Sequence, residues 1–461
     1  MNNWKGHIGI FLLVSLLLSC QSTKEEVANS SDMAPKDQTL DWVKDATIYE
    51  LNIRQYTPEG TFTSILPHLK RIEEMGVEII WLMPIYPISS TKRKGSLGSY
   101  YAISDYTGVN AEFGSEEEFR IMIDSIHALG MHVILDWVPN HTGWDHKWIE
   151  EHPSWYSHQG DTICHPYLNG EPTDWYDVAD LNYENAQMRQ EMIKSMKYWV
   201  EAYDVDGFRC DVAFAVPDSF WLEVKEGLSE VKPLFMLAEA EHSFHLNQGI
   251  FQANYAWNFM HLSVDMAKGE KNVSDLVDYI EENAQAYDLG YPMYFTSNHD
   301  ENSWNGTVFE RYGNGHKAFA ALAFSLEGIP LIYSGQEEPL TKRLAFFEKD
   351  TIGFSTFKYA SFYQALINFK RNNPALWNGA SGGKLEILHS SDKVLCIERK
   401  KQGNEVLSFF NLSSESVDLP MNRSSEGFVD FMGQTPLEFS NGDSIRLTPW
   451  EFRLLSKHIS E

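Results

Sequence analysis

Between about residues 46 and 372 the chain alternates two textures. Short apolar, β-rich runs fall at 48–56, 79–86, 133–138, 207–212, 234–239, 255–260, 293–297 and 331–334, of which 255–260 is the most weakly marked. Between them lie stretches whose apolar residues recur every three to four positions, at 115–129, 185–203, 273–286 and 316–326. A short apolar run between turn residues predicts a buried strand, and the longer period predicts a helix, so the order is βα repeated eight times, an α/β pattern. One interval breaks the rhythm: residues 141–180, rich in His, Trp, Asp and Pro, separate the third strand from its helix. Beyond Asn373-Pro374 short alternating runs at 393–399, 405–411 and 445–448, broken by Gly, Asn and Ser, predict an antiparallel β domain.

Residues 1–40 stand apart from this pattern. Lys5 precedes an apolar stretch at 8–18, which ends in Leu17-Leu18-Ser19-Cys20. The stretch is too short to span a bilayer, which takes about 20 residues. It resembles a bacterial lipoprotein signal (1–19) in which Cys20 becomes the lipidated first residue; an ordinary secretory peptide with an incidental cysteine is the plainer alternative. Residues 20–40 are polar and aperiodic, as a tether is. Their Lys24-Glu25-Glu26 cluster resembles surface-export signals of some Gram-negative lipoproteins, so the expected location is the outer membrane, held by lipid alone.

At 461 residues the chain exceeds one ordinary core. Its 37 basic against 65 acidic residues, a formal net charge of −28, argue against nucleic acid or anionic lipid as a partner, since both are bound through positive patches. The 14 Trp and 21 Tyr suit packing against sugar rings, although most such rings serve cores. Cys164, Cys210 and Cys396 are widely spaced and odd in number, which gives neither a disulfide framework nor metal-ligand spacing.

Three carboxylates, Asp211, Glu239 and Asp300, each close a short apolar run. They lie in Gly207-Phe-Arg-Cys-Asp211, Phe235-Met-Leu-Ala-Glu239 and Phe295-Thr-Ser-Asn-His-Asp300, preceded by Asp136-Trp-Val-Pro-Asn-His141. One carboxylate at a strand end is commonly a helix N-cap; three in these contexts call for another account. In this order the four segments resemble the signature strands of the α-amylase family, glycoside hydrolase family 13, whose members handle α-linked glucose polymers. The resemblance covers about 45–455 and implies a (β/α)8 TIM barrel over 41–375, with a small B domain inserted after strand 3 at about 141–180. It implies a C-terminal β-sandwich over 376–461, and catalysis where the βα loops converge.

The resemblance also assigns roles. Asp211 is the implied nucleophile, Glu239 the general acid/base, and Asp300 the stabiliser of an oxocarbenium-like transition state. His141 and His299 are the implied sugar-binding pair of the −1 subsite. Arg209 shares a strand face with Asp211 and is expected to hold it ionised, whereas the apolar run before Glu239 is expected to keep that residue protonated. Gly98-Ser-Tyr-Tyr-Ala-Ile-Ser-Asp-Tyr106 resembles the segment with a tyrosine under the −1 sugar; anchoring on Asp105-Tyr106 selects Tyr101, and a slip by one selects Tyr100. Gly328-Ile-Pro-Leu-Ile-Tyr-Ser-Gly-Gln-Glu337 resembles the eighth-strand signature, with an architectural role, and Val178-Ala-Asp-Leu-Asn182 the end of the B insertion. Asn140 and Asp180 are candidate ligands for a structural Ca2+, being hard oxygen donors. Where many calcium-dependent members carry Lys and His after the nucleophile, this chain has Phe214 and Ala215.

The expected activity is a retaining α-glucan hydrolase acting on α-1,4 links of starch or maltooligosaccharides. Transfer uses the same covalent intermediate, so an α-glucosyltransferase or an isomerase such as a trehalose synthase is the alternative. A non-catalytic starch-binding surface protein on the same fold is a third reading, but its mark, a lost carboxylate, is absent from the sequence.

Overall fold

The computed structural model describes residues 40–458 apart from 288 and 434; Cys20, the expected signal peptide (1–19) and all but the last residue of the expected tether lie outside them. Eight strands close a parallel barrel. In chain order they are β1 (Ile48–Leu51), β2 (Ile79–Leu82), β3 (His132–Trp137), β4 (Gly207–Cys210), β5 (Phe235–Ala238), β6 (Ala253–Tyr255), β7 (Tyr291–Tyr294) and β8 (Ile329–Tyr333). Each pairs with its chain neighbours, and β8 returns to β1 with Leu331 opposite Ile48. Helices cover the outside and side chains fill the inside, which is why the strands read as nearly unbroken apolar runs. At Gly207 a Cβ would stand 1.8 Å from the Phe235 carbonyl oxygen. Glycine there lets β4 approach β5 closely enough to bring their C-terminal residues together.

Helices Glu116–Ala128, Ala186–Tyr203, Val273–Ala286 and His316–Ser325 fall where the periodicity places them. Two strand expectations are corrected. The run at 48–56 stops at Leu51, because the Asn52 side chain accepts from the Gln55 amide and caps a helical turn, Ile53–Tyr56. The sixth strand is Ala253–Tyr255, and most of 255–260 opens the helix Trp257–Lys268. Its buried Phe259, Met260, Ser263, Val264 and Met266 keep helical spacing, which a six-residue window cannot distinguish from a buried strand.

The insertion leaves and rejoins the barrel on a two-stranded stem, His141–Gly143 antiparallel to Val178–Asp180. Beyond the stem lie two short hairpins, His158–Gln159 with Thr162–Ile163 and Tyr167–Leu168 with Glu171–Pro172. The C-terminal region is a six-stranded antiparallel sheet, including Val394–Lys401, Asn404–Asn411 and Phe452–His458, accompanied by the ribbon Val417–Pro420 with Ser444–Leu447. Alternation divides its side chains between two cores. Leu395, Ile397, Val406, Phe410 and Leu454 join the barrel's core, whereas Val394, Cys396, Leu407, Phe409 and Leu455 join a second core with Leu419 and Leu447 of the ribbon.

Two buried cations fix this junction through carbonyls. Arg399 donates to the carbonyl oxygens of Gly383 (2.9 Å), Leu326 (2.8 Å) and Trp377 (3.0 Å). Lys370 Nζ donates to Gly328 (3.0 Å) and Leu376 (2.6 Å). Burial pushes the Lys370 ammonium well below its ordinary range, with Arg399 adding to the effect, and lowers Arg399 to about 10.

Candidate active site

The centre of the site is Arg209 on β4. Strand register sets Asp136 of β3 directly opposite it. Its Nη1 lies 2.8 Å from Asp136 Oδ1 and 2.8 Å from Asp211 Oδ1, while Nη2 lies 2.9 Å from Glu239 Oε2. Nε donates to the Tyr255 hydroxyl at 3.1 Å. One guanidinium thus gathers side chains from β3, β6 and the ends of β4 and β5.

Three buried carboxylates around one cation cannot all be balanced by it. Burial pushes Asp211 well above the usual carboxylate range; Arg209 pulls it back, and Glu239 and Asp136 push it up again. Asp136 rises to about 6 by burial, against the pull of Arg209. The expectation that Arg209 simply holds Asp211 ionised is therefore corrected, because the cation is shared. Nor does the Glu239 carboxylate meet the apolar surround read from its run. Its Oε2 faces Arg209 and accepts from the Val212 amide at 2.7 Å. Val212 presents that amide from a left-handed backbone, φ +45°, which a β-branched residue adopts only under strain.

The second half of the site is built on His299. Its Nδ1 lies 2.5 Å from Glu50 Oε1 on β1, and its Nε2 lies 3.3 Å from Asp300 Oδ2 and 2.7 Å from the Tyr101 hydroxyl. Burial works to lower the pKa of His299, but the charges of Asp300 and Glu50 outweigh it and raise it to about 9. With both ring nitrogens protonated, Tyr101 is free to donate its own proton to Asp136 Oδ2, at 3.0 Å. Of the two tyrosines, Tyr101 belongs to the site, its ring stacked on His299 and Phe346. Tyr100 is buried beneath Arg54, 4.1 Å from ring centre to guanidinium carbon. Asp300 keeps 34% of its side chain exposed against 9% for Asp211, so it stands nearest the mouth. His141 is neutral, pushed down to about 3 by burial, with Nδ1 3.2 Å from the Asn140 amide nitrogen and its ring 5.8 Å from Trp175.

Sequence reasoning assigned no role to Asp136, Glu50, Trp81, Tyr255 or Phe346. Glu50 and Asp136 carried a usable signal, an acidic residue inside an otherwise apolar strand, because a buried charge demands a partner. Trp81 donates to Asp136 Oδ2 at 3.2 Å, and nothing local in the sequence announces that contact.

At the stem, the pairing of His141 with Asp180 sets Asn140 close to Asp180, and the Leu181 amide donates to the Asn140 carbonyl at 3.2 Å. Burial lifts Asp180 to about 6, with Ser157 and His165 opposing. Calcium takes six to eight oxygen ligands. These two side chains do not supply that number, so they do not by themselves fit the ion, and no chemical step is assigned to one. Phe214 and Ala215 lie on the short helical turn Ala213–Ala215, with the Phe214 ring 55% exposed where cationic residues were absent from the sequence pattern.

Three acidic side chains gathered on one arginine, with a fourth carboxylate beside a charged histidine, at the C-terminal face of a (β/α)8 barrel define a glycoside hydrolase. The sequence matches the family described as α-amylase, catalytic domain, over residues 27–179 and 167–383, and that described as maltogenic amylase, C-terminal domain, over 385–454. The chain belongs to the α-amylase family. It is 24% identical over 429 residues to the α-amylase MalA of Haloarcula japonica, a match that takes in 87% of this chain and 60% of that protein. A 4-α-glucanotransferase of Thermotoga neapolitana is 29% identical over 315 residues, 60% of this chain and 67% of that one. Among solved structures, a noncanonic maltogenic α-amylase, AmyB, from Thermotoga neapolitana superposes with a TM-score of 0.79 at 27% identity, covering 91% of this chain and all of that one (100%). An α-amylase from Lactobacillus plantarum gives 0.79 at 28%, covering 90% and 99%.

Proposed function

We propose that the protein is a retaining α-glucan hydrolase that cleaves α-1,4-glucosidic bonds of starch or maltooligosaccharides. The observation that carries the reading is that Asp211 and Glu239 sit on two nitrogens of the same guanidinium, at 2.8 and 2.9 Å. That closeness favours the retaining geometry, with carboxyl groups about 5 Å apart, over the about 6.5–9.5 Å that leaves room for an attacking water. In this reading Asp211 attacks the anomeric carbon while Glu239 protonates the leaving oxygen; Glu239 then takes a proton from the water that releases the glycosyl ester. Arg209 is the counter-ion to Asp211 in this step. Asp300, charged His299 and neutral His141 grip hydroxyls of the −1 sugar, and Tyr101 lies beneath it.

Glucosyl transfer is the second reading, favoured by the relative named 4-α-glucanotransferase. Chromatography of products from amylose, pullulan and maltotriose separates the two: hydrolysis yields only fragments shorter than the substrate, and transfer lengthens maltotriose. Proton NMR recorded before mutarotation is expected to show the α-anomer first, and an initial β-anomer overturns the retaining mechanism.

The reading includes a lipid anchor at Cys20 to the outer membrane, supported by Leu17-Leu18-Ser19-Cys20 and the polar residues behind it. Cys20→Ser is expected to release the protein into the soluble fraction with unchanged specific activity. Wild-type protein that is already soluble, with no lipid mass on its N-terminal peptide, removes this part of the reading.

A further inference from the structure

The loops after β4 and β5 bring together three side chains that the reaction does not use. Asp218 opens the helix Asp218–Ser229, His242 precedes the short helix Ser243–Asn247, and His245 lies within it. One ligand atom of each lies within 4.8 Å of the other two, the one such group of His, Cys, Asp or Glu found among the described residues. His245 Nε2 is 2.8 Å from Asp218 Oδ1, and the two imidazole rings are 4.8 Å apart, inclined by 36°.

We propose that Asp218, His242 and His245 form a binding site for a divalent transition cation of the zinc type. Two imidazoles and one carboxylate are a ligand set that Zn2+ accepts, with water in the fourth tetrahedral position. The three are graded in a way that suits capture. His245 is buried against Phe251, so one ligand is held in place, while Asp218 and His242 are exposed and give the cation entry from solvent. His245 Nδ1 is buried with no hydrogen-bond partner among the described residues. A bare lone pair is tolerated there better than an N–H, so the proton sits on Nε2 and is donated to Asp218. Binding exchanges that proton for the cation: the Nε2–H bond breaks, the nitrogen lone pair coordinates, and the proton leaves to solvent.

The site is separate from Asn140 and Asp180 at the stem of the insertion, and it bears on the loop that follows Glu239. That loop is tied at Glu241, whose Oε2 accepts from the Asn258 amide at 2.8 Å, and at His245 through Asp218. A cation on His242 adds a third tie. The test is isothermal titration of ZnCl2 into the full chain without a polyhistidine tag, a readout independent of glucan chemistry. One Zn2+ per chain is expected, with His242→Ala and Asp218→Asn each weakening it by at least about 10-fold, since even outer-shell partners of a metal are worth that much. Both variants alter exposed side chains, and unchanged circular dichroism verifies their fold. Wild-type protein that binds no Zn2+, or variants that bind it as tightly as wild type, overturn the assignment.

Discussion

Arg209 and Arg399 are both buried, and their surroundings are opposite. Arg209 meets three carboxylates and a tyrosine, and they hold its proton well above the ordinary range even though burial opposes them. Arg399 meets carbonyls, which satisfy its donors without matching its charge, and burial lowers it to about 10. At the junction with the C-terminal sheet every hydrogen-bond acceptor of Arg399 is a backbone carbonyl, and the outcome is cohesion. In the barrel mouth negative charge exceeds positive, so protons remain there to be moved. The fold thus keeps its reactive charge imbalance on one guanidinium and its structural ties elsewhere.

The comparison is broken most sharply at Arg209. Arg209→Met leaves three buried carboxylates without their cation, so turnover on maltooligosaccharides is expected to fall by about 10³-fold or more and stability to drop by about 3–5 kcal/mol in urea unfolding. Turnover within tenfold of wild type would show that the guanidinium is not the organiser of the site. Arg399→Met strands several carbonyls instead. A loss of about 3 kcal/mol is expected, with kcat within about twofold of wild type. A large fall in kcat there contradicts the division of labour.

pH sharpens the contrast. His299 is raised from 6.5 to about 9, so its pairing with Glu50 and Asp300 contributes fully below pH 6.5 and is lost as pH rises through 9, a change of up to about 3 kcal/mol. Lys370, depressed by burial, has the opposite sign: its penalty lifts as pH rises toward its ordinary 10.5. Unfolding measured at pH 6.5 and 9.5 is expected to show a steeper alkaline loss in wild type than in Glu50→Gln, and Lys370→Met is expected to remove the compensating gain. The smallest effect belongs to Val212→Gly, where relief of the left-handed backbone is set against loss of the buried isopropyl group, so stability is expected to shift by no more than about 1 kcal/mol. A loss in thermal unfolding well beyond that of an ordinary buried valine would show that the left-handed backbone carries no strain.

What the sequence disclosed follows from distance along the chain. Asp211 and Glu239 were legible because each follows the apolar run of its own strand, Asp300 because it closes a signature segment six residues beyond its strand, and Arg209 beside Asp211 because two residues of one strand share a face. The partners that set their chemistry were not, since Arg209 meets Asp136 from 73 residues away and His299 meets Glu50 from 249. Only the closure of the barrel creates those contacts. That Arg209 is shared among three carboxylates rather than given to Asp211 alone is a result no single motif contains. The sixth strand was misread for a related reason: three residues of strand joined to an apolar helix give one continuous run.

The two-faced C-terminal sheet bears on how this enzyme can be taken apart. The change of texture near Asn373-Pro374 looks like a border, but Leu395, Ile397, Val406, Phe410 and Leu454 complete the barrel's own core from beyond it. A fragment ending at that border would retain Asp211, Glu239 and Asp300 and still offer water the surface those five side chains cover. Exposed apolar patches of that kind recruit other copies of the same molecule, so the fragment is expected to aggregate. Portable modules have polar borders, and this barrel does not end in one.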